Sequence, residues 1–86
     1  MKILMVIDNG RIGGAQKLLL SLLPPLQDRG FQFLVIILGQ GQWLANALEE
    51  AHIPVKVLGL SRWDPRAVWY LWKEVRAFHP DVIHAH

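Results

Sequence analysis

Three groups of residues in this 86-residue chain have types and spacings that can do chemistry. They are the glycine-rich stretch Asn9-Gly10-Arg11-Ile12-Gly13-Gly14, the pair His84 and His86 at the end, and an aromatic-basic cluster. The glycine stretch follows an apolar run and precedes helical spacing. Backbone N–H groups in such a turn can face an anion, and the partial positive charge of a helix N-terminus favours one there. Diphosphate is the natural guest. The competing reading is a tight turn that needs glycine for its geometry alone.

Two familiar phosphate loops are excluded. A Walker loop requires Gly-Lys-Ser/Thr, and Gly14-Ala15-Gln16 is not that. A dinucleotide fingerprint requires GxGxxG and an acid about 20 residues on. Gly10, Gly13 and Gly14 have the wrong spacing, and no Asp or Glu occurs between Asp28 and Glu49.

His84 and His86 are two apart on an expected strand and project to one face. Such a pair can begin a zinc site, with Asp8, His79 or His52 as further ligands, but nothing in the sequence points to a third ligand and no metal is expected. The remaining readings are hydrogen bonding to a hydroxylated ligand, or two polar residues at a strand end. In the third group, Trp63, Trp69, Tyr70 and Trp72 lie among Arg62, Arg66, Lys73 and Arg76. That mixture marks either a membrane-surface face or a Trp covered by other parts of a larger domain.

These residues need elements to hold them. Lys2 to Asp8, Phe31 to Leu38, Ile53 to Leu58 and Asp81 to His86 read as strands. A helix from Ala15 to Gly30 presents Ala15, Leu18, Leu19, Leu22, Leu23 and Leu26 to the core, with a kink or break expected at Pro24 and Pro25. A second helix turns Leu44, Ala47, Leu48 and Ala51 inward. A third starts at Asp64 and Pro65, an N-cap followed by proline at the first helical position. Its expected core stripe is Val68, Leu71, Trp72, Val75 and Phe78, and Pro80 ends it. The order βαβαβαβ argues for a parallel sheet with right-handed crossovers.

Composition agrees. A hydrophobic share of 52% suits strands covered on both faces. The length allows one small domain and excludes a complete two-domain enzyme. A net charge of +2 with no dense basic run argues against nucleic acid as a partner, and the absence of cysteine excludes disulfides and a cysteine nucleophile. The first apolar run is too short for a signal-peptide core, and no run approaches a membrane span, so a soluble or surface-attached chain is expected.

Three segments together resemble a known family. Gly13-Gly14-Ala15-Gln16 before a leucine-rich helix is similar to the Gly-Gly-Ala-Glu signature of family 4 retaining glycosyltransferases. Gly41-Gln42-Trp43-Leu44 through Ala51-His52-Ile53-Pro54-Val55 resembles the family's G-x-L-x-x-x-L-x-x-x-G-I-P-V segment. Pro80-Asp81-Val82-Ile83-His84-Ala85-His86 resembles its R-P-D-V-V-H-A-H strand. Gln16 stands where the family usually has Glu, and His52 where it usually has Gly; both substitutions are expected to be tolerated.

The resemblance implies an α/β fold, a partial Rossmann-like parallel sheet forming the first part of the N-terminal, acceptor-side domain of a GT-B enzyme. The donor-binding C-terminal domain, with its E-x7-E motif, would lie outside residues 1–86. The implied reaction moves a sugar from a nucleotide-sugar donor to an acceptor hydroxyl with retention and without a cofactor. The acceptor would be a sugar, a lipid-linked or a small molecule. His86 would be catalytic; Gly13, Gly14, Gln16 and His84 would contact substrate. The implied setting is cytoplasmic, with peripheral contact at the inner membrane surface left open. Two alternatives stand beside this: a non-catalytic α/β module, or another phosphate-binding Rossmann-like protein.

Overall fold

A computed structural model describes residues 1–8, 14–61 and 63–85, with the backbone alone for 14–16 and 85. The chain runs β1 (Lys2–Ile7), α1 (Gly14–Asp28), β2 (Gln32–Ile37), α2 (Gln42–Glu50), β3 (Val55–Val57), α3 (Pro65–Phe78) and β4 (Val82–Ala85). The four strands form one parallel sheet in the order β3-β2-β1-β4. The expected βαβαβαβ order and the partial Rossmann-like sheet are both found.

Strand alternation sorts the core into two layers. Met5, Ile7, Phe33, Val35 and Ile37 meet Leu23 of α1 and Leu44, Ala45 and Leu48 of α2 on one face. Leu4, Leu34, Ile36 and Leu38 meet Ala67 of α3 on the other, with Leu71, Val75 and Phe78 packed alongside. Successive residues of β1 and β2 therefore feed opposite helical layers, as a sheet covered on both faces requires.

The helices differ from the sequence-based stripes in phase. On α1, Leu23 is buried and Leu19, Leu20 and Leu26 are partly buried, whereas Leu18 and Leu22 are exposed. The run Lys17-Leu18-Leu19-Leu20-Ser21-Leu22-Leu23 is apolar on nearly every side, so hydrophobicity alone does not choose the phase. On α3, Ala67 is buried while Val68 and Trp72 are exposed. A small residue seats the helix close to the sheet, and the indole expected in the stripe lies outside it.

The break expected at Pro24 and Pro25 does not occur, since α1 is helical through Asp28. The prolines remove the donors for the carbonyls of Leu20 and Ser21, and Pro25 is on the exposed side.

Helix ends follow a single device. Phe31 N donates to Leu26 O and Gly30 N to Gln27 O, with Gly30 at φ 100°. Ile53 N donates to Leu48 O and His52 N to Glu49 O, with His52 at φ 61°. Both are Schellman closures, whose left-handed residue is usually glycine. In the second, Leu48 and Ile53 supply the accompanying apolar contact, both buried in one cluster. His52 thus occupies a backbone position that suits Gly. The histidine is exposed, and its carbonyl accepts Gln27 Nε2 at 3.1 Å, a bond that any residue there would keep. His52→Gly should accordingly raise stability by roughly 0.5–1 kcal/mol, because a Cβ in the left-handed region is penalised. Urea denaturation of the two chains measures this.

Candidate active site

The site can be located from topology. β1 crosses over to β2 on one side and the chain later returns to β4 on the other, so β1 and β4 are neighbours with connections leaving in opposite directions. Ligands of open parallel sheets bind at such a switch point, outside the carboxyl ends of the strands. The carboxyl end of β1, which precedes α1, and that of β4 both lie there.

Register places each residue. β4 pairs Val82 with Ile3, Ile83 with Leu4, His84 with Met5 and Ala85 with Val6. The start of β4 is locked by a reciprocal pair: Lys2 N donates to Asp81 Oδ2 at 2.8 Å, and Asp81 N donates to Lys2 O at 2.7 Å. Lys2 Nζ reaches Phe78 O at 3.3 Å and lies 5.6 Å from that ring, tying the end of α3 to the same corner. A cation near the carbonyl end of a helix is favourably placed.

Gly14 is the first residue of α1, one position ahead of the expected start at Ala15. Gly13 and His86 lie outside the described residues, and so does the side chain of Gln16, whose backbone is in the first turn of α1. That turn contains no acidic residue, so no carboxylate of α1 opposes an anion at its N-terminus. His84 lies on β4, on the sheet face shared with Met5. Packing deeper in the sheet would make it a buried polar group, yet it is exposed. The reason is that β4 is an edge strand, and Val82 and Ile83 are exposed with it.

Two further features surround the carboxyl ends. Gly39 N donates to Asp8 O at 2.9 Å, and a Cβ on Gly39 would stand 3.0 Å from that same carbonyl oxygen. The close approach holds the exits of β1 and β2 together. At the start of α2, the indole Nε1 of Trp43 is buried with no partner among the described residues. Sequence reasoning met Trp43 only as part of a motif; its orphan donor becomes evident from burial.

Asp64 begins α3, which returns from the carboxyl end of β3. Its Oδ1 accepts Arg66 N at 2.9 Å, the N-cap bond expected from sequence, and the Arg66 guanidinium closes on the same carboxylate at 2.8 Å. The side-chain bond from Arg66, followed by the backbone bond, holds the Asp64 carboxyl below its usual range.

One open groove lies elsewhere. A cleft of about 420 Å³ bounded by Gln27, Phe31, Gln32, His52 and Pro54 lies at the amino ends of β2 and β3. Parallel α/β sheets do not place their chemistry there, so the switch point is taken as the site. No three His, Asp or Glu side chains among the described residues gather as metal ligands.

The profile of Glycosyltransferase Family 4 matches residues 12–86, from the β1–α1 connection to the end of β4. The chain belongs to glycosyltransferase family 4. Membership carries glycosyl transfer as the class of function, with a sugar donor and an acceptor as partners. No curated protein and no solved structure gives a significant match.

Two outcomes follow from this geometry. Gly39→Val should cost about 1–3 kcal/mol, since a side chain there overpacks against the Asp8 carbonyl; denaturant midpoints report it. Asp64→Ala should lower the melting temperature at pH 7. The folded-state pKa of Asp64 is depressed, so its contribution is present above about pH 4, the ordinary aspartate range, and is lost as pH falls through the folded value. The gap between the two chains should therefore shrink as thermal scans move towards pH 2.

Proposed function

We propose that this chain is the acceptor-side part of a two-domain GT-B enzyme. The enzyme transfers a sugar from a nucleotide-sugar donor to an acceptor hydroxyl, with retention of anomeric configuration. The donor-binding domain lies outside residues 1–86. The observation that carries the reading is the switch point between β1 and β4, with α1 opening at Gly14 behind β1 and His84 on β4, in a chain of this family.

In the reaction, the acceptor hydroxyl oxygen forms a bond to the anomeric carbon as that carbon's bond to the nucleoside diphosphate breaks, and the hydroxyl proton passes to an oxygen of the leaving diphosphate. Negative charge grows on the leaving diphosphate. Gly13 and Gly14 allow close backbone approach at the N-terminus of α1, where the helix dipole favours an anion. Gln16, in the next positions of the helix, offers an amide to a sugar hydroxyl or phosphate oxygen. His86 is the catalytic residue of this half. Its imidazole donates or accepts a hydrogen bond at neutral pH, suiting it to a hydroxyl of the transferring sugar. His84, exposed on β4, supports that end of the site.

Transfer assays on the full-length enzyme test this. His86→Ala should reduce turnover by well over tenfold with an unchanged melting temperature. His84→Ala should change stability by under about 0.5 kcal/mol, as for other exposed positions. Near-normal transfer by His86→Ala would remove that residue from the reaction. Calorimetry on residues 1–86 alone should detect little binding of a sugar nucleotide; tight binding would place the donor pocket in this half.

A further inference from the structure

The cleft at the amino ends of β2 and β3 lies away from the glycosyl-transfer site, which is at the carboxyl ends of the strands. Its volume of about 420 Å³ is that of a small-molecule site. Phe33, 3% exposed, and Phe31, partly buried, give it an aromatic side. Their rings stack, with centroids 6.4 Å apart and planes 22° apart. Gln27, Gln32 and His52 supply polar groups. No Lys, Arg, Asp or Glu stands among the described residues that line it.

His52 is the informative member. Its φ of 61° closes α2 in a conformation that suits glycine. Nothing in that closure uses an imidazole: the closing bonds are made by backbone groups, and Gln27 Nε2 meets the His52 carbonyl. Backbone geometry explains how a histidine is tolerated there, not why a histidine is present. Left-handed non-glycine residues gather where a side chain is needed at a ligand. At this position a side chain stands on the rim of the cleft, and glycine would bring none.

We propose that this cleft is a second binding site, for an uncharged planar heteroaromatic compound of the nucleoside type. The ligand ring continues the stack begun by Phe31 and Phe33, as bases stack on aromatic side chains elsewhere. Its edge pairs with the amides of Gln27 and Gln32 and the imidazole of His52. Each of these side chains carries both a donor and an acceptor, which matches the mixed edge of a base. A bare phosphate or carboxylate would find no cation in the lining, and an aliphatic ligand would leave the polar groups unpaired. The site does not depend on which sugar is transferred, nor on the roles of His84 and His86.

Amide chemical-shift titration of the chain with adenosine tests this. The shifts should saturate and centre on Gln32, Phe33 and the backbone around His52. Ribose at equal concentration should leave those signals unmoved, and AMP should bind no more tightly than adenosine. A hydrogen bond is worth about two- to tenfold in affinity, so His52→Gly should weaken adenosine binding by that factor. The same substitution is expected to stabilise the fold, so weaker binding cannot come from unfolding. Gln32→Ala, at an exposed position, should weaken binding to a similar degree. Absence of saturable shifts at these residues overturns the proposal, as does an equal response to ribose. Markedly tighter binding of AMP, shifts centred on the tryptophans of α3, or unchanged affinity in His52→Gly would overturn it equally.

Discussion

The in-register parallel pairing of β1 with β2 is the constraint from which the remaining geometry follows. It runs from Lys2 opposite Gln32 to Ile7 opposite Ile37, and it makes every second residue point to the same helical layer. A slip of β1 by one residue would turn Met5 and Ile7 to the α3 side while Val35 and Ile37 stayed on the α1–α2 side. Because the register is held, the two strands leave the sheet together, and Asp8 and Gly39 meet through their backbones at 2.9 Å. The same register lets β4 join β1 with His84 level with Met5. The placing of the carboxyl end of β1 beside the strand that carries His84 is thus a consequence of the central pair.

Much of this was legible in the sequence, for reasons tied to particular residues. β1 and β2 are unbroken branched apolar runs bounded by turn residues, and Gly30 marks the end of α1, whereas the closure at His52 becomes evident only from its backbone bonds. Asp64 and Pro65 specify the start of α3 through chemistry local to three residues. Helical phase was less legible. On α1 leucine occupies adjacent positions, so two faces are nearly equal in apolarity, and the choice falls to packing against Phe33 and Val35. On α3, size decided what hydrophobicity could not: Ala67 fits against the sheet, whereas the bulkier Trp72 does not. For the site, Gly14 is the first residue of α1, one position before the helical spacing read from Ala15, and the exposure of His84 depends on β4 being an edge, a property of the sheet rather than of the strand.

His52 shows how a local rule and a global fold negotiate. The chain must reverse from α2 into β3 within two residues, and the backbone bonds that accomplish this require a left-handed residue. Glycine would adopt it freely. Histidine is accepted because the closure brings Ile53 and Leu48 together in the core, and that burial outweighs a local penalty of about 1–2 kcal/mol. His79, at φ 53° after α3, repeats the compromise, with Pro80 next in line to prevent the helix from continuing. Neither histidine lies near the carboxyl ends of the strands. Of the four histidines in the chain, these two are therefore explained by backbone geometry and solvent exposure, whereas His84 stands on β4 beside β1. That division was not visible from residue type, because imidazoles at a helix end and at a strand end look alike until the φ angle and the sheet order separate them.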